Sequence, residues 1–254
     1  NLFKEQKISL IIGIDLGIVK AAEYAKKHHI RYGLISYEIY FKDELNEVEK
    51  NEEIKACENI SFAISQDKLR ALLLSIENNI DLEKIFNIPV AYFNKKLQAE
   101  NKNVLRELFN IPDNKKILFY GGSIETWSGA DFVFNNIDSI PDDWVMVIHY
   151  RYGNQYINEK YNIDYPGKVY YTDKLFSNYN EYEMMLSSAD MGIAFYYNDY
   201  LSPETGKNIY YIGLSSGKVS TYLKCGLPLL INEIGEMSHN VKKHNIGYVV
   251  ENLK

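Results

Sequence analysis

The sequence predicts an α/β protein of two domains, each built on a parallel sheet. Three observations predict it. Short apolar runs alternate with helical patterns along all 254 residues, the signature of repeated strand–helix units. Runs such as Leu118-Phe119-Tyr120 are apolar throughout, which suits a sheet covered on both faces. The rhythm breaks once, over the polar stretch from Lys95 to Lys116.

In chain order, strands are expected at Leu10–Ile14, Tyr32–Tyr37, Ser61–Ser65, Pro89–Phe93, Ile117–Tyr120, Trp144–His149, Val169–Tyr171, Met191–Phe195, Pro228–Ile231 and Tyr248–Val250. Helical spacing of apolar residues places Ile18, Ala21, Ala22 and Ala25 on one buried face. It does the same for Leu69, Leu72, Leu73 and Ile76, and for Tyr182, Met185, Leu186 and Ala189. Val104–Phe109 reads as a short helix closed by Ile111-Pro112-Asp113-Asn114. The polar break divides the chain into residues 1–95 and 96–254, with about four strands before it and six after. The first domain reads as incomplete, and the chain opens on Asn1 rather than Met.

Composition narrows the function classes. A formal net charge of −6 without a long basic run disfavours nucleic acid, whose phosphates call for clustered Lys and Arg. No apolar run approaches the roughly 18 residues of a membrane span. A local basic patch at a membrane surface remains compatible with the sequence, so a cytoplasmic protein, with room for one at the inner membrane face, is expected. Cys57 and Cys225 stand far apart without metal-type spacing, as reduced cytosolic thiols do. No Ser/His/Asp set, metal cluster or glycosidase carboxylate pair emerges from spacing, so no metal and no catalytic base is assigned.

In open parallel sheets, ligands bind beyond the carboxyl ends of the strands. Two segments there carry chemistry. In the first, a strand ends in Gly121-Gly122 and a helix begins near Ser128. Glycines let a phosphate approach the backbone closely, and a helix start supplies free N–H groups. In the second, Ser215-Ser216-Gly217-Lys218 opens a helix that Gly226 ends before Pro228 leads into a strand. A lysine in the first turn opposes the helix dipole. A bound anion removes that conflict, so the segment reads as a diphosphate site. The plainer alternative is an ordinary cap beside an exposed lysine.

This second segment resembles the GT-B-type glycosyltransferases, in particular their retaining sugar transferases. These carry a helix ending in a small-residue-Gly-x-Pro turn, with a lysine eight residues before the glycine; here those are Lys218 and Cys225-Gly226-Leu227-Pro228. Ser187–Phe195, Glu233–Met237 and Asn245–Val250 are similar to the family's neighbouring elements. The resemblance implies two Rossmann-like domains, the first of them incomplete. It also implies a metal-independent enzyme that takes its sugar from a nucleoside-diphosphate sugar and uses no further cofactor. A glycan or lipid-linked hydroxyl is then the acceptor, in capsule, lipopolysaccharide or glycoprotein synthesis. Gly121, Gly122, Ser215, Ser216, Lys218 and Thr221 are expected to hold the donor, and Glu204, in the loop after a strand, its sugar hydroxyls.

Two departures stand out. Thr221 occupies the place where many members hold the ribose with a glutamate, and the basic pair usual after the first strand is absent from Gly121–Gly129. The Thr221 departure leaves an inactive homologue as a competing reading, beside a two-lobed non-catalytic binding protein and a nucleotide-sugar epimerase.

Overall fold

The computed structural model describes residues 8–91, 103–150, 160–161, 164–173 and 179–251. The chain forms two compact units: Asn1–Val90 with Asn198–Ser215, and Ala91–Tyr197 with Ser216–Lys254. The predicted division at 95/96 falls outside the described residues. The structure differs from that division in giving Asn198–Ser215 to the first unit. The cause is a set of polar contacts that no periodicity announces. The Asp67 carboxylate accepts from Leu214 N (3.0 Å), the Arg70 guanidinium donates to Tyr211 O (2.9 Å), and Val90 N donates to Leu214 O (3.0 Å).

The first unit holds strands β1 (Leu10–Ile14), β2 (Arg31–Ile35), β3 (Ala63–Ser65) and β4 (Ile85–Asn87), all parallel and in sequential order. Helices α1 (Gly17–His28), α2 (Glu47–Cys57) and α3 (Lys68–Asn78) bury Ile18, Ala21, Ala56, Cys57, Ala71 and Leu74 against Leu34, Ala63 and Ile85. Right-handed crossovers that all step the same way put their helices on one face. The opposite face carries Leu10, Ile12, Ile14 and Phe86 at 40–57 % exposure.

Three expectations change here. The fourth strand is Ile85–Asn87; of the predicted Pro89–Phe93, residues 89–91 are not in a strand and residues 92–93 lie outside the described residues. Pro89 has no N–H to give a ladder, and pairing ends where Ile88 N meets Ser65 O (2.8 Å). Helix α3 buries Arg70, Ala71, Leu74 and Asn78, while Leu69, Leu72 and Ile76 are exposed. The leucine-rich stripe drew the eye to the wrong face, because the buried one is half polar. Helix α2 has no apolar stripe and was not expected. Its Lys50 and Glu53 form a buried ion pair (2.8 Å), and Asn78 Nδ2 donates to Glu53 (2.8 Å).

The second unit holds β5 (Lys116–Gly122), β6 (Trp144–Tyr150), β7 (Val169–Thr172), β8 (Met191–Ile193), β9 (Leu229–Asn232) and β10 (Gly247–Val250). They form one parallel sheet in the order β10-β9-β8-β5-β6-β7. Its helices include α4 (Val104–Phe109), α5 (Ala130–Asn135) and α6 (Tyr179–Leu186); α7 (Lys207–Tyr210) lies in the first unit's returning segment; α8 (Gly217–Lys224) and α9 (Gly235–His244) follow in the second. Strand order reverses at β5, which has β6 on one side and β8 on the other. The crevice of such a sheet opens beyond the strand ends at that reversal. Strand β5 ends there in Gly121-Gly122.

Candidate diphosphate site

Helix α8 starts where the cap pattern places it. The Ser216 side chain accepts from Val219 N (3.1 Å), and Cys225 closes the helix ahead of Gly226 at φ +70°. The same Ser216 hydroxyl bonds the Tyr196 hydroxyl. Helix α8 is thereby tied to the chain just beyond β8.

Lys218, in the first turn of α8, turns inward. The residue as a whole is partly exposed, but its ammonium is buried and has no hydrogen-bond partner. Nζ lies 5.5 Å from the ring centroid of Tyr120 and 5.8 Å from that of Tyr196, within cation–π range. Both rings are fixed: Tyr196 by Ser216, and Tyr120 by the Ser128 hydroxyl (2.9 Å). Burial, with no charged neighbour to offset it, pushes the Lys218 pKa down to about 8. Desolvation disfavours the charged form of a lysine.

The glycine pair shapes the other wall. Gly122 has φ +107°, and a Cβ there would stand 3.3 Å from Lys218 Cε. One turn along α8, the fully buried Tyr222 crosses Phe119 edge-on (6.1 Å) and lies over Gly192, where a Cβ would come within 2.6 Å of its ring. Its hydroxyl sits near the Gly121 backbone without forming a well-shaped hydrogen bond. The buried Lys218 ammonium, without a hydrogen-bond partner, and the buried Tyr222 hydroxyl, beside the Gly121 backbone, thus flank the glycine end of β5. Interior polar atoms are nearly always paired, so the unpaired ammonium calls for an explanation.

Among the predicted residues, the structure brings Gly122 and Lys218 together, with Gly121 beside Tyr222. Ser216 serves as cap. Thr221 donates its hydroxyl to Gly217 O (2.7 Å) inside its own helix. Ser215 donates to Ile212 O (2.7 Å), so both hydroxyls are engaged as donors. Glu204 is an exposed residue of the first unit. Its backbone carbonyl accepts from Asn208 Nδ2 (3.1 Å), and its carboxylate lies near the Tyr40 hydroxyl. His149, at the end of β6, is buried between Phe119 and Tyr182. An open groove of about 550 Å³, lined by Thr126, Asp131, Phe132, Asn135 and Tyr197 among others, contains none of the predicted donor residues.

Tyr120, Tyr196 and Tyr222 were missed as site residues. Their strand and helix positions read as core, and among 22 tyrosines nothing local singles them out. Among the described residues no cluster of His, Cys, Asp or Glu could hold a metal. No described helix is long and apolar enough to cross a membrane.

Comparisons with known proteins agree with this architecture. Residues 142–254 match the family described as glucosyltransferase 3-like, C-terminal domain. No curated protein matches the chain in sequence. Among solved structures, HepE of Anabaena in complex with UDP superposes with a TM-score of 0.70 at 11 % identity, covering 95 % of this chain and 64 % of HepE. WaaG, a glycosyltransferase involved in lipopolysaccharide biosynthesis, gives 0.57 at 14 % identity, covering 89 % and 66 %. A UDP-forming trehalose-phosphate synthase of Burkholderia vietnamiensis gives 0.62 at 12 %, covering 95 % and 61 %. The chain therefore spans under two thirds of HepE, and its fold is that of the GT-B-type glycosyltransferases.

Proposed function

We propose that this chain is the nucleotide-sugar-binding part of a glycosyltransferase that moves a sugar from a nucleoside-diphosphate sugar to a hydroxyl acceptor. One observation carries the reading: the unpartnered ammonium of Lys218, buried beneath the left-handed Gly122 where the strand order of the second sheet reverses. That is the chemistry a diphosphate needs. The first-turn N–H groups of α8 that the Ser216 cap leaves unbonded add donors at the helix start.

The difficult step in glycosyl transfer is departure of the nucleoside diphosphate with its developing charge. A fixed cation and fixed amides aimed at that charge stabilise the transition state more than the ground state. Lys218 supplies the cation, and the backbone at Gly121-Gly122 gives the phosphates room. The HepE complexes with UDP and with UDP-glucose support this donor class, and WaaG's role in lipopolysaccharide biosynthesis supports a cell-surface glycan as acceptor. The free cysteines favour a cytoplasmic setting.

Thr221 favours a second reading, a homologue that binds nucleotide without turnover. Its hydroxyl is committed to Gly217 O and offers no charge to a ribose. Titration calorimetry with UDP, GDP and ADP tests the site: one of them binds, and Lys218→Ala weakens it more than tenfold. Equal affinity in the variant refutes the assignment of Lys218. Sugar release from the matching donor, absent in Lys218→Ala, separates transferase from inactive homologue.

A further inference from the structure

The ammonium of Lys218 cannot meet a ligand from where it lies. Nζ is shut off from solvent, held over the faces of Tyr120 and Tyr196, with Cε pressed against the space that a side chain at position 122 would take. The residue as a whole is only partly buried, and rotation about the side-chain bonds is the motion that would carry the amine outward. We propose that Lys218 is stowed between Tyr120 and Tyr196 when no anion is bound, and that a nucleoside diphosphate binds by drawing it out as a protonated ammonium, taking up a proton from solvent in alkaline solution. This inference rests on the diphosphate reading of the same site and adds a moving part and a proton to it.

The stowed position is a poor one for a charge. The groups facing it are the Tyr120 ring from β5, the Tyr196 ring from the segment after β8, and Gly122 at the end of β5. Ser216 stands behind Tyr196. Neither ring carries charge at neutral pH, since burial raises both phenols. No described carboxylate pairs with Nζ. Desolvation alone sets the lysine's acidity, so the amine is partly neutral just above pH 8. A diphosphate favours only the charged form. The balance is Lys–NH2 plus a solvent proton giving Lys–NH3+ against the phosphate oxygens.

The sign follows. Below pH 7 the amine is already protonated and binding takes up almost no proton. With half-titration near pH 8, binding at pH 9 takes up about 0.9 proton, and affinity falls about tenfold between pH 7 and pH 9. The terminal phosphate of a nucleotide ionises near pH 6, so its contribution is over by pH 7.5.

Calorimetry of ADP and UDP at pH 9, in two buffers of different ionisation enthalpy, on the intact protein and on Lys218→Arg, measures the protons the lysine takes up as the difference between the two proteins. The proposal expects the intact protein to take up about 0.9 proton more than Lys218→Arg, whose side chain stays charged. Tight binding with no such difference overturns the proposal while leaving the diphosphate site intact. Absence of binding by both probes overturns the functional reading instead. Carbon-13 labelling of the lysines reads the stowed state without any ligand: one Cε resonance titrates near pH 8, is missing from Lys218→Met, and shifts upward in pH when a ligand binds. No such resonance would also overturn the proposal.

Discussion

Replacing Lys218 by Met should make the unliganded protein more stable while weakening diphosphate binding. The side chain keeps its length and loses its charge. In the folded protein the ammonium is buried without a partner, and its pKa falls from 10.5 to about 8. At about 1.4 kcal/mol per unit, that is roughly 3 kcal/mol by which the charged form is penalised relative to the unfolded chain. Lost cation–π attraction offsets about 0.5–2 kcal/mol of the gain, so Lys218→Met should gain about 1–3 kcal/mol at pH 7. The pH dependence gives an independent check. A lysine whose pKa is depressed on folding binds more protons in the unfolded state between pH 8 and 10.5, so the intact protein gains stability as pH rises through that window. The advantage of Lys218→Met should therefore shrink by about 1 kcal/mol between pH 7 and pH 9. Urea unfolding of both proteins at the two pH values measures it. A variant that is destabilised by more than 1 kcal/mol, or whose difference is flat with pH, refutes the claim that the ammonium is stowed uncompensated.

Other sites answer to the same physics. Gly122→Ala forces a side chain into φ +107° and to within 3.3 Å of Lys218 Cε; we expect a loss of about 1–3 kcal/mol in stability and weaker UDP binding by calorimetry. Gly192→Ala would put a methyl 2.6 Å from the Tyr222 ring and should cost about 1–3 kcal/mol in denaturant melts. In the first unit, Arg70 is buried and bonded to Gln66, Tyr37 O, Tyr211 O and Asn208. Arg70→Met should cost about 3 kcal/mol or more and expose 198–215 to limited proteolysis. Glu38 is pushed up to about 7, chiefly by burial. A carboxyl whose pKa rises on folding binds more protons in the folded state between about pH 4.5 and 7, so stability should fall as pH rises through that range. Glu38→Gln should remove that slope in thermal melts.

The sheet of the second unit was legible in the sequence because every strand is short, apolar and bounded by turn residues. Strand β5 and helix α8 were the plainest, marked off by Gly121-Gly122, the Ser216 cap and the Gly226-Leu227-Pro228 exit. The direction in which Lys218 points was not legible. Its position in the first turn suggested an anion nearby, and the cage of Tyr120 and Tyr196 depends on contacts across the fold that no spacing encodes. Helix α3 misled for a related reason. Its Leu69 and Leu72 face outward, and a buried arginine holds the 198–215 segment. Helix α2 hid its role altogether, since Lys50, Glu53 and Asn78 form a polar interior that hydropathy reads as surface.

The most direct test is a crystal structure of the protein with a nucleoside diphosphate bound. The account predicts phosphoryl oxygens beside the Gly121-Gly122 backbone and within hydrogen-bonding distance of Lys218 Nζ, with the ammonium withdrawn from between the two tyrosine rings. A nucleotide seated elsewhere, with Lys218 still enclosed by Tyr120 and Tyr196, would contradict it.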